Sequence, residues 1–231
     1  MTTSGTTAFN PDLTEIVEEA FERCGGELRT GYDLRTARRS LNLMFTDWAN
    51  RGVNMWTMEQ GQQVLSPGTA TYPLPADTVD LLDHVIRTGA GSASTQADLT
   101  ITRISEPTYS SIPNKLQQAR PIQIWIQRFN TPQYTVWPVP DNSQTYTLVY
   151  WRLRRIQDAG DGVNTMDMPF RFYNAMVAGL AYYMAMKVPG AIDRIQILKA
   201  QYDEAWQLAS DEDREKAAVR FVPRQQYIGS Y

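Results

Sequence analysis

Cysteine and histidine, two residue types that often serve in catalytic and metal sites, are rare in this chain. The 231 residues include one cysteine, Cys24, and one histidine, His84. A disulfide within one chain is therefore excluded, and so is a structural zinc site, which needs about four nitrogen or sulfur ligands. A catalytic triad or a cysteine–histidine centre would have to use His84. That histidine lies in a segment typical of a strand, where a packed or surface residue is the simpler interpretation.

Polar residues crowd the segment from 158 to 167, which contains Asp158, Asp161, Asn164 and Asp167. Their oxygen atoms could suggest a calcium site. The spacing does not match an EF-hand loop, however, and no glutamate ends the segment. A solvated connection between a strand and a helix is therefore favoured. The small residues 89–92 also lack the Gly-Lys-Ser/Thr of a phosphate-binding loop, so a flexible hairpin tip is favoured there.

Two groups of carboxylates, Glu18 with Glu19 and Asp80 with Asp83, could be considered as the acid–base pair of a glycosidase. Such a pair needs a cleft and a raised pKa, and the sequence indicates neither. Adjacent glutamates on an amphipathic helix usually form its solvated face. The chain is therefore predicted to be neither an enzyme nor a protein with a cofactor or metal.

Three tryptophans, Trp125, Trp137 and Trp151, fall in the middle of the chain. As exposed platforms they could bind sugars, and the protein would then be a glycan-binding module with a helical stalk. As core or interface residues they need no ligand, because tryptophan is common in both settings. The core or interface interpretation is favoured, and the glycan-binding module remains the alternative function.

Charge is segregated along the chain, although the formal net charge is only −3. A small acidic excess argues against a dedicated DNA-binding protein. Arginines near 35–39 and 152–155 could contact DNA phosphates. However, an acidic helix next to a basic helix is better explained by docking between subunits than by nucleic-acid binding. The predicted subunit-interface residues are Glu15, Glu18, Glu19, Glu22, Arg35, Arg38 and Arg39.

Hydrophobic periodicity predicts helices at both ends of the chain. Apolar residues recur at helical spacing over 12–24 and 33–50, and again from Phe170 to the Pro189-Gly190 break and over 191–217. Neither pair of helices can bury its apolar stripe alone. The two pairs are therefore expected to pack together as one bundle.

In the middle of the chain the period falls to two, which predicts a β module of six or seven short strands. One strand is predicted over 99–104, and strands over 134–137 and 145–155 are expected to pair as a hairpin. The predicted fold class is α+β, with an antiparallel β module inserted into the bundle. The predicted divisions are residues 1–54, 55–165, 166–218 and an extended C-terminal arm, 219–231.

Four segments, in this order and spacing, resemble a known family of phage proteins. They are Leu41–Ala49, Tyr72–Asp77, Trp137–Pro140 and Met168–Tyr182. The chain resembles the head-to-tail adaptor, or connector, proteins of short-tailed phages, a group that includes tail tubular protein A and the tail accessory factors. The resemblance spans most of the chain.

This resemblance implies a homo-oligomeric ring, commonly of twelve subunits, that binds below the portal protein of the capsid. Such a ring continues the channel for double-stranded DNA without reading its sequence, and it docks the tail nozzle. The bundle and the arm would face the portal, and the β module with Trp125, Trp137 and Trp151 would face the tail. The implied portal-binding residues of the arm are Arg220, Phe221, Val222, Arg224, Tyr227 and Tyr231.

No signal peptide is predicted, because residues 1–7 have neither a basic region nor an apolar core. The longest near-apolar run, 175–186, is shorter than the roughly 20 residues that a membrane span needs. The chain is therefore expected to be made in the host cytoplasm and to have no membrane partner. The resemblance implies that it ends up at the head–tail junction of the virion.

Overall fold

The computed structural model describes residues 3–27, 31–52 and 55–214. The predicted arm, 219–231, lies outside the described residues. The helices are α1 (Leu13–Cys24), α2 (Gly31–Asn50), α3 (Glu106–Ser110), α4 (Tyr173–Ala185) and α5 (Ile195–Glu212). The strands are β1 (Met58–Leu65), β2 (Thr71–Pro73), β3 (Thr78–Thr88), β4 (Ala97–Thr100), β5 (Thr102–Ile104), β6 (Gln123–Gln127), β7 (Gln133–Trp137) and β8 (Tyr146–Arg154).

Local signals fix both ends of α1. The Asp12 carboxylate accepts a hydrogen bond from the Glu15 amide at 2.9 Å, and the Glu15 carboxylate accepts one from the Asp12 amide at 3.0 Å. This capping box satisfies amides that have no partner within the helix. Gly25 ends the helix in the left-handed conformation, with φ at +81°. The predicted start and stop of this helix are confirmed.

Helices from both ends of the chain share one core, as predicted. α4 is at its centre, with α1, α2 and α5 packed around it, and its residues Ala175 to Ala181 are all buried. A helix that is apolar on every side must be covered on every side. The N-terminal and C-terminal helices therefore fold as one bundle.

Gly179 lets two neighbours approach α4 closely. A Cβ atom at this position would lie 2.4 Å from Met44 Sδ of α2 and 2.8 Å from the Tyr202 ring of α5. The missing side chain at this position therefore brings α2, α4 and α5 together.

The β module contains two four-stranded sheets that share a second core. The first has the order β1-β8-β3-β4 and the second β2-β7-β6-β5. Ile86, Leu148 and Tyr150 of the first sheet form one buried cluster with Ile124 and Tyr134 of the second. The two inner faces therefore pack against each other as a sandwich.

The predicted hairpin of 134–137 with 145–155 is wrong. β7 pairs with β2 and β6 in one sheet, whereas β8 pairs with β1 and β3 in the other. The chain changes sheets between them through Pro138 and Pro140, which cannot donate ladder hydrogen bonds. Both strands lie inside their sheets, and both contribute side chains to the core of the sandwich.

The predicted single strand over 99–104 is also wrong, because this segment contributes to two strands. It breaks at the buried Ile101, so that β4 joins the first sheet beside β3, and β5 joins the second beside β6. The β5–β6 pair is parallel, so the module is not wholly antiparallel. The described residues hold eight strands rather than six or seven. The last helix begins at Ile195, after a 3₁₀ turn over Ile192–Arg194.

We expect Gly179→Ala to lower the free energy of unfolding by about 1–3 kcal/mol, because the added methyl group overpacks the contact with Met44 and Tyr202. Chemical denaturation measures this change. Gly31→Ala is the matched control, since a Cβ there meets nothing within 4 Å and α2 gains helix propensity. Equal stability of the two variants would contradict close packing at Gly179.

Candidate functional site

The chain crosses between the bundle and the β module twice, and both crossings meet at Asp167. In the first crossing, the Trp56 indole donates a hydrogen bond to the Asp167 backbone carbonyl at 3.0 Å. In the second, the Arg154 guanidinium donates to both carboxylate oxygens of Asp167, at 2.5 and 3.0 Å. The Gln157 amide donates to the same carboxylate at 3.1 Å. Asp167 is therefore hydrogen-bonded to both crossings.

A row of alternating charges extends from Asp167 into the first sheet. Arg154 also donates to Glu59 on β1 at 2.6 Å, and Arg152 bridges Glu59 at 2.8 Å and Asp77 at 2.6 Å. The two arginine side chains are only 11 and 12% exposed. Desolvated, paired guanidinium groups are not free to bind DNA phosphates. We call these five residues the junction network.

Two pKa shifts follow from the junction network. The hydrogen bond from Arg152 lowers the pKa of the Asp77 carboxyl, although partial burial opposes the shift. The hydrogen bond to Asp167 raises the pKa of Arg154. Because the folded pKa of Asp77 is depressed, its contribution to stability is present at neutral pH. That contribution is lost as the pH falls through the folded pKa, so acid weakens the junction.

Aromatic rings pack beside the junction network and connect it to the helices. Trp48 of α2 is fully buried, and its indole donates to the Tyr202 hydroxyl at 2.7 Å. Its ring lies 4.8 Å from that of Trp206 and 5.7 Å from that of Phe172. Trp56 lies 4.8 Å from Phe172 on the other side. The aromatic cluster therefore links α2, α5 and the first crossing.

The polar segment 158–167 connects the sheet to the bundle and is tied to both N-terminal helices. The Leu13 amide donates to the Asn164 carbonyl at 3.3 Å, and the Ala159 amide donates to the Asn42 side chain at 2.8 Å. Asp161 forms an ion pair with Arg38 at 3.1 Å. In the part of the chain that the structure describes, no three His, Cys, Asp or Glu side chains gather as metal ligands.

The acidic face of α1 and the arginine face of α2 both point away from the buried stripes of their helices. Four of the seven predicted interface residues have no ion pair with described residues: Glu18, Glu22, Arg35 and Arg39. The other three have partners within the chain, since Glu15 caps α1, Glu19 pairs with Arg23 at 2.8 Å and Arg38 pairs with Asp161.

The three tryptophans of the β module do not share one surface. Trp125 and Trp137 lie on the outer side of the second sheet, where Trp125 stacks on Tyr109 with ring centroids 5.1 Å apart. The Trp137 indole donates to the Asn114 carbonyl at 3.0 Å. Trp151, by contrast, is 36% exposed on the outer face of the first sheet. A single sugar platform built from all three is therefore absent from this arrangement.

Among the described residues, no helix is long and apolar enough to cross a membrane. The family model for the SU10 adaptor protein matches residues 11–224, which covers both ends of the bundle and the whole β module. The chain belongs to the SU10 adaptor protein family. A comparison with curated proteins found no match. The family assignment is consistent with a phage adaptor and with a structural role.

The junction network was missed in the sequence, although each of its members is visible there. Asp167 was grouped with the other polar residues of its loop, and Arg152 and Arg154 with candidate phosphate contacts. One local pattern could have indicated the ion pair: Arg152 and Arg154 stand at the end of a strand, and an acidic connection follows directly. Glu59 and Asp77 lie more than 70 residues away from Arg152, so no local pattern joins them to it.

We expect Asp167→Asn to lower the free energy of unfolding of the adaptor by about 1–3 kcal/mol, because Arg154 loses its charged partner in a nearly buried site. Denaturant titration at neutral pH measures the loss. Asp98→Asn is the control. It removes the partner of Arg87 from an ion pair of similar length, 2.7 Å, on an exposed edge, and should cause no measurable loss. Equal effects of both changes would argue against the junction.

Proposed function

We propose that the adaptor forms a homo-oligomeric ring, commonly of twelve subunits, between the portal protein and the tail nozzle of a short-tailed phage. The ring continues the channel through which double-stranded DNA passes, and it has no catalytic role. The family assignment supports an adaptor that belongs to the virion, at the head–tail junction. Synthesis in the host cytoplasm is part of the same proposal.

The observation that carries this proposal is the junction network. The adaptor has two separate cores, one helical and one β, and Asp167 holds both crossings between them. A protein that connects two different partners must keep its two ends in a fixed relation. The paired charges and the aromatic cluster supply that rigidity.

In this proposal the bundle faces the portal and the β module faces the tail nozzle. A ring needs two different complementary faces on each subunit. The exposed carboxylates of Glu18 and Glu22 on α1 and the guanidinium groups of Arg35 and Arg39 on α2 supply opposite charges for these faces. Trp151, the most exposed of the three tryptophans, is the residue best suited to contact the nozzle.

The predicted arm completes the contact with the portal. Residues 219–231 carry two arginines and three aromatic residues without an acid, a composition suited to binding an acidic or aromatic-lined surface. They lie outside the described residues, and their role in portal binding is part of this proposal.

Charge reversal tests the subunit contact. We expect the Glu18→Lys/Glu22→Lys variant and the Arg35→Glu/Arg39→Glu variant each to lose ring assembly on the portal, because like charges then meet at every contact. Native mass spectrometry or electron microscopy with the matching portal measures assembly. An equal mixture of the two variants should restore rings, since each reversed face then meets its complement. Rings formed by either variant alone would refute this interface.

Arm deletion tests the portal contact separately. We expect a chain of residues 1–218 to keep its fold and to bind the portal at least tenfold more weakly than the full chain, which corresponds to about 1.4 kcal/mol. Circular dichroism checks the fold and a titration of portal checks binding. Unchanged affinity would remove the arm from the proposal.

Sugar binding tests the alternative function. If the protein does not bind the portal but binds a sugar with saturation, the glycan-binding module is favoured instead.

A further inference from the structure

The first sheet ends at a long edge that has no neighbour among the described residues. β1 pairs with β8 through eight consecutive residues, Met58 to Leu65, and with no second strand. The other strands at sheet edges are much shorter, with four residues in β4 and three in β2 and in β5. Short edges are one way in which proteins avoid unwanted pairing, and β1 does not use it.

β1 also lacks the other usual protections of an edge strand. It contains no proline and no lysine, and its pairing with β8 has no bulge. Its one charged residue, Glu59, is held by Arg152 and Arg154 in the junction network. The outward row is Met58, Gln60, Gln62 and Val64, with Val64 61% exposed. Such an edge is a template for another strand.

The described chain ends beside the start of this edge. Asp213, one residue before the last described position, accepts a hydrogen bond from the Met55 amide at 3.2 Å. It also pairs with Arg171, which fixes it against the bundle. Met55 is three residues before the first residue of β1. The described chain therefore ends close to the first residue of the open edge, and 17 further residues, 215–231, follow in the sequence.

The sequence that follows has the length and the alternation of a strand. At about 3.3 Å per residue, eight residues match β1, so 17 residues are more than sufficient. A chain that extends from Asp213 parallel to β1 brings residues 219–224 beside the second half of β1. Val219 and Phe221 fall on one side of that segment, and Pro223 follows, a residue that edge strands tolerate.

We propose that residues 219–224 of the same chain dock on the free edge of β1 as a fifth, parallel strand of the first sheet. Backbone hydrogen bonds then cover the open amides and carbonyls of β1. Val219 and Phe221 extend the uncharged outer row of Met58, Gln62 and Val64. The proposal concerns the free subunit and does not depend on ring formation. Portal binding by the arm would have to displace the added strand.

A cysteine pair tests the position of the segment. We expect Gln62→Cys combined with Phe221→Cys to form an intramolecular disulfide on mild oxidation at low protein concentration. The control combines Phe221→Cys with Thr100→Cys on β4, at the opposite edge of the same sheet, and should not form one. Cys24 can stay in place. Its buried thiol donates to the Ala181 carbonyl, and burial raises its pKa to about 11, so it is unreactive at neutral pH.

Hydrogen exchange gives an independent readout that needs no cysteine. Deletion of residues 215–231 should speed hydrogen exchange at least tenfold for the β1 amides that point away from β8. The exchange rates of β6 and β7 should stay unchanged. Equal exchange in both chains, or equal crosslinking at positions 62 and 100, would overturn the proposal. A disulfide found only between two chains would also overturn it, because the edge would then belong to a second copy. Loss of portal binding alone would bear on the proposed function and not on this inference.

Discussion

The ion pair between Arg154 and Asp167 is the contact on which the arrangement of the whole adaptor depends. It joins the end of β8, an interior strand of the first sheet, to the turn that begins the C-terminal helices. The Trp56 indole reaches the same residue from the N-terminal side. Because both crossings converge on Asp167, a shift of the sheet relative to the bundle would break several hydrogen bonds at once.

The two cores have different roles around that contact. The bundle buries α4 on every side, and Gly179 leaves no room for a Cβ atom between Met44 and Tyr202. The sandwich is held by large side chains from both sheets, and the Tyr134 hydroxyl donates to Gln63 across it at 3.0 Å. Each core leaves one feature unused. The bundle leaves two charged faces, and the sandwich leaves the edge of β1. The edge of β1 begins at the junction, because Glu59 of β1 belongs to the junction network.

Much of the fold could be predicted, because helical stripes and caps are local. The capping box of Asp12 and Glu15 and the stop at Gly25 are visible within a few residues. The pairing of strands was predicted less well. β7 and β8 are neighbours in sequence but belong to different sheets, and one predicted strand divides at Ile101 between the two. A period of two indicates which residues face a core, but it does not indicate which strand lies alongside.

The sequence by itself determined that the chain has helical ends and a β middle. It also determined the charges on the faces of α1 and α2, since these follow from spacing along one helix. Only the tertiary structure decided which arginines are free, because Arg152 and Arg154 meet carboxylates from distant segments, whereas Arg35 meets none among the described residues. Ion pairs between remote segments depend on the path of the folded chain, and no local pattern encodes that path.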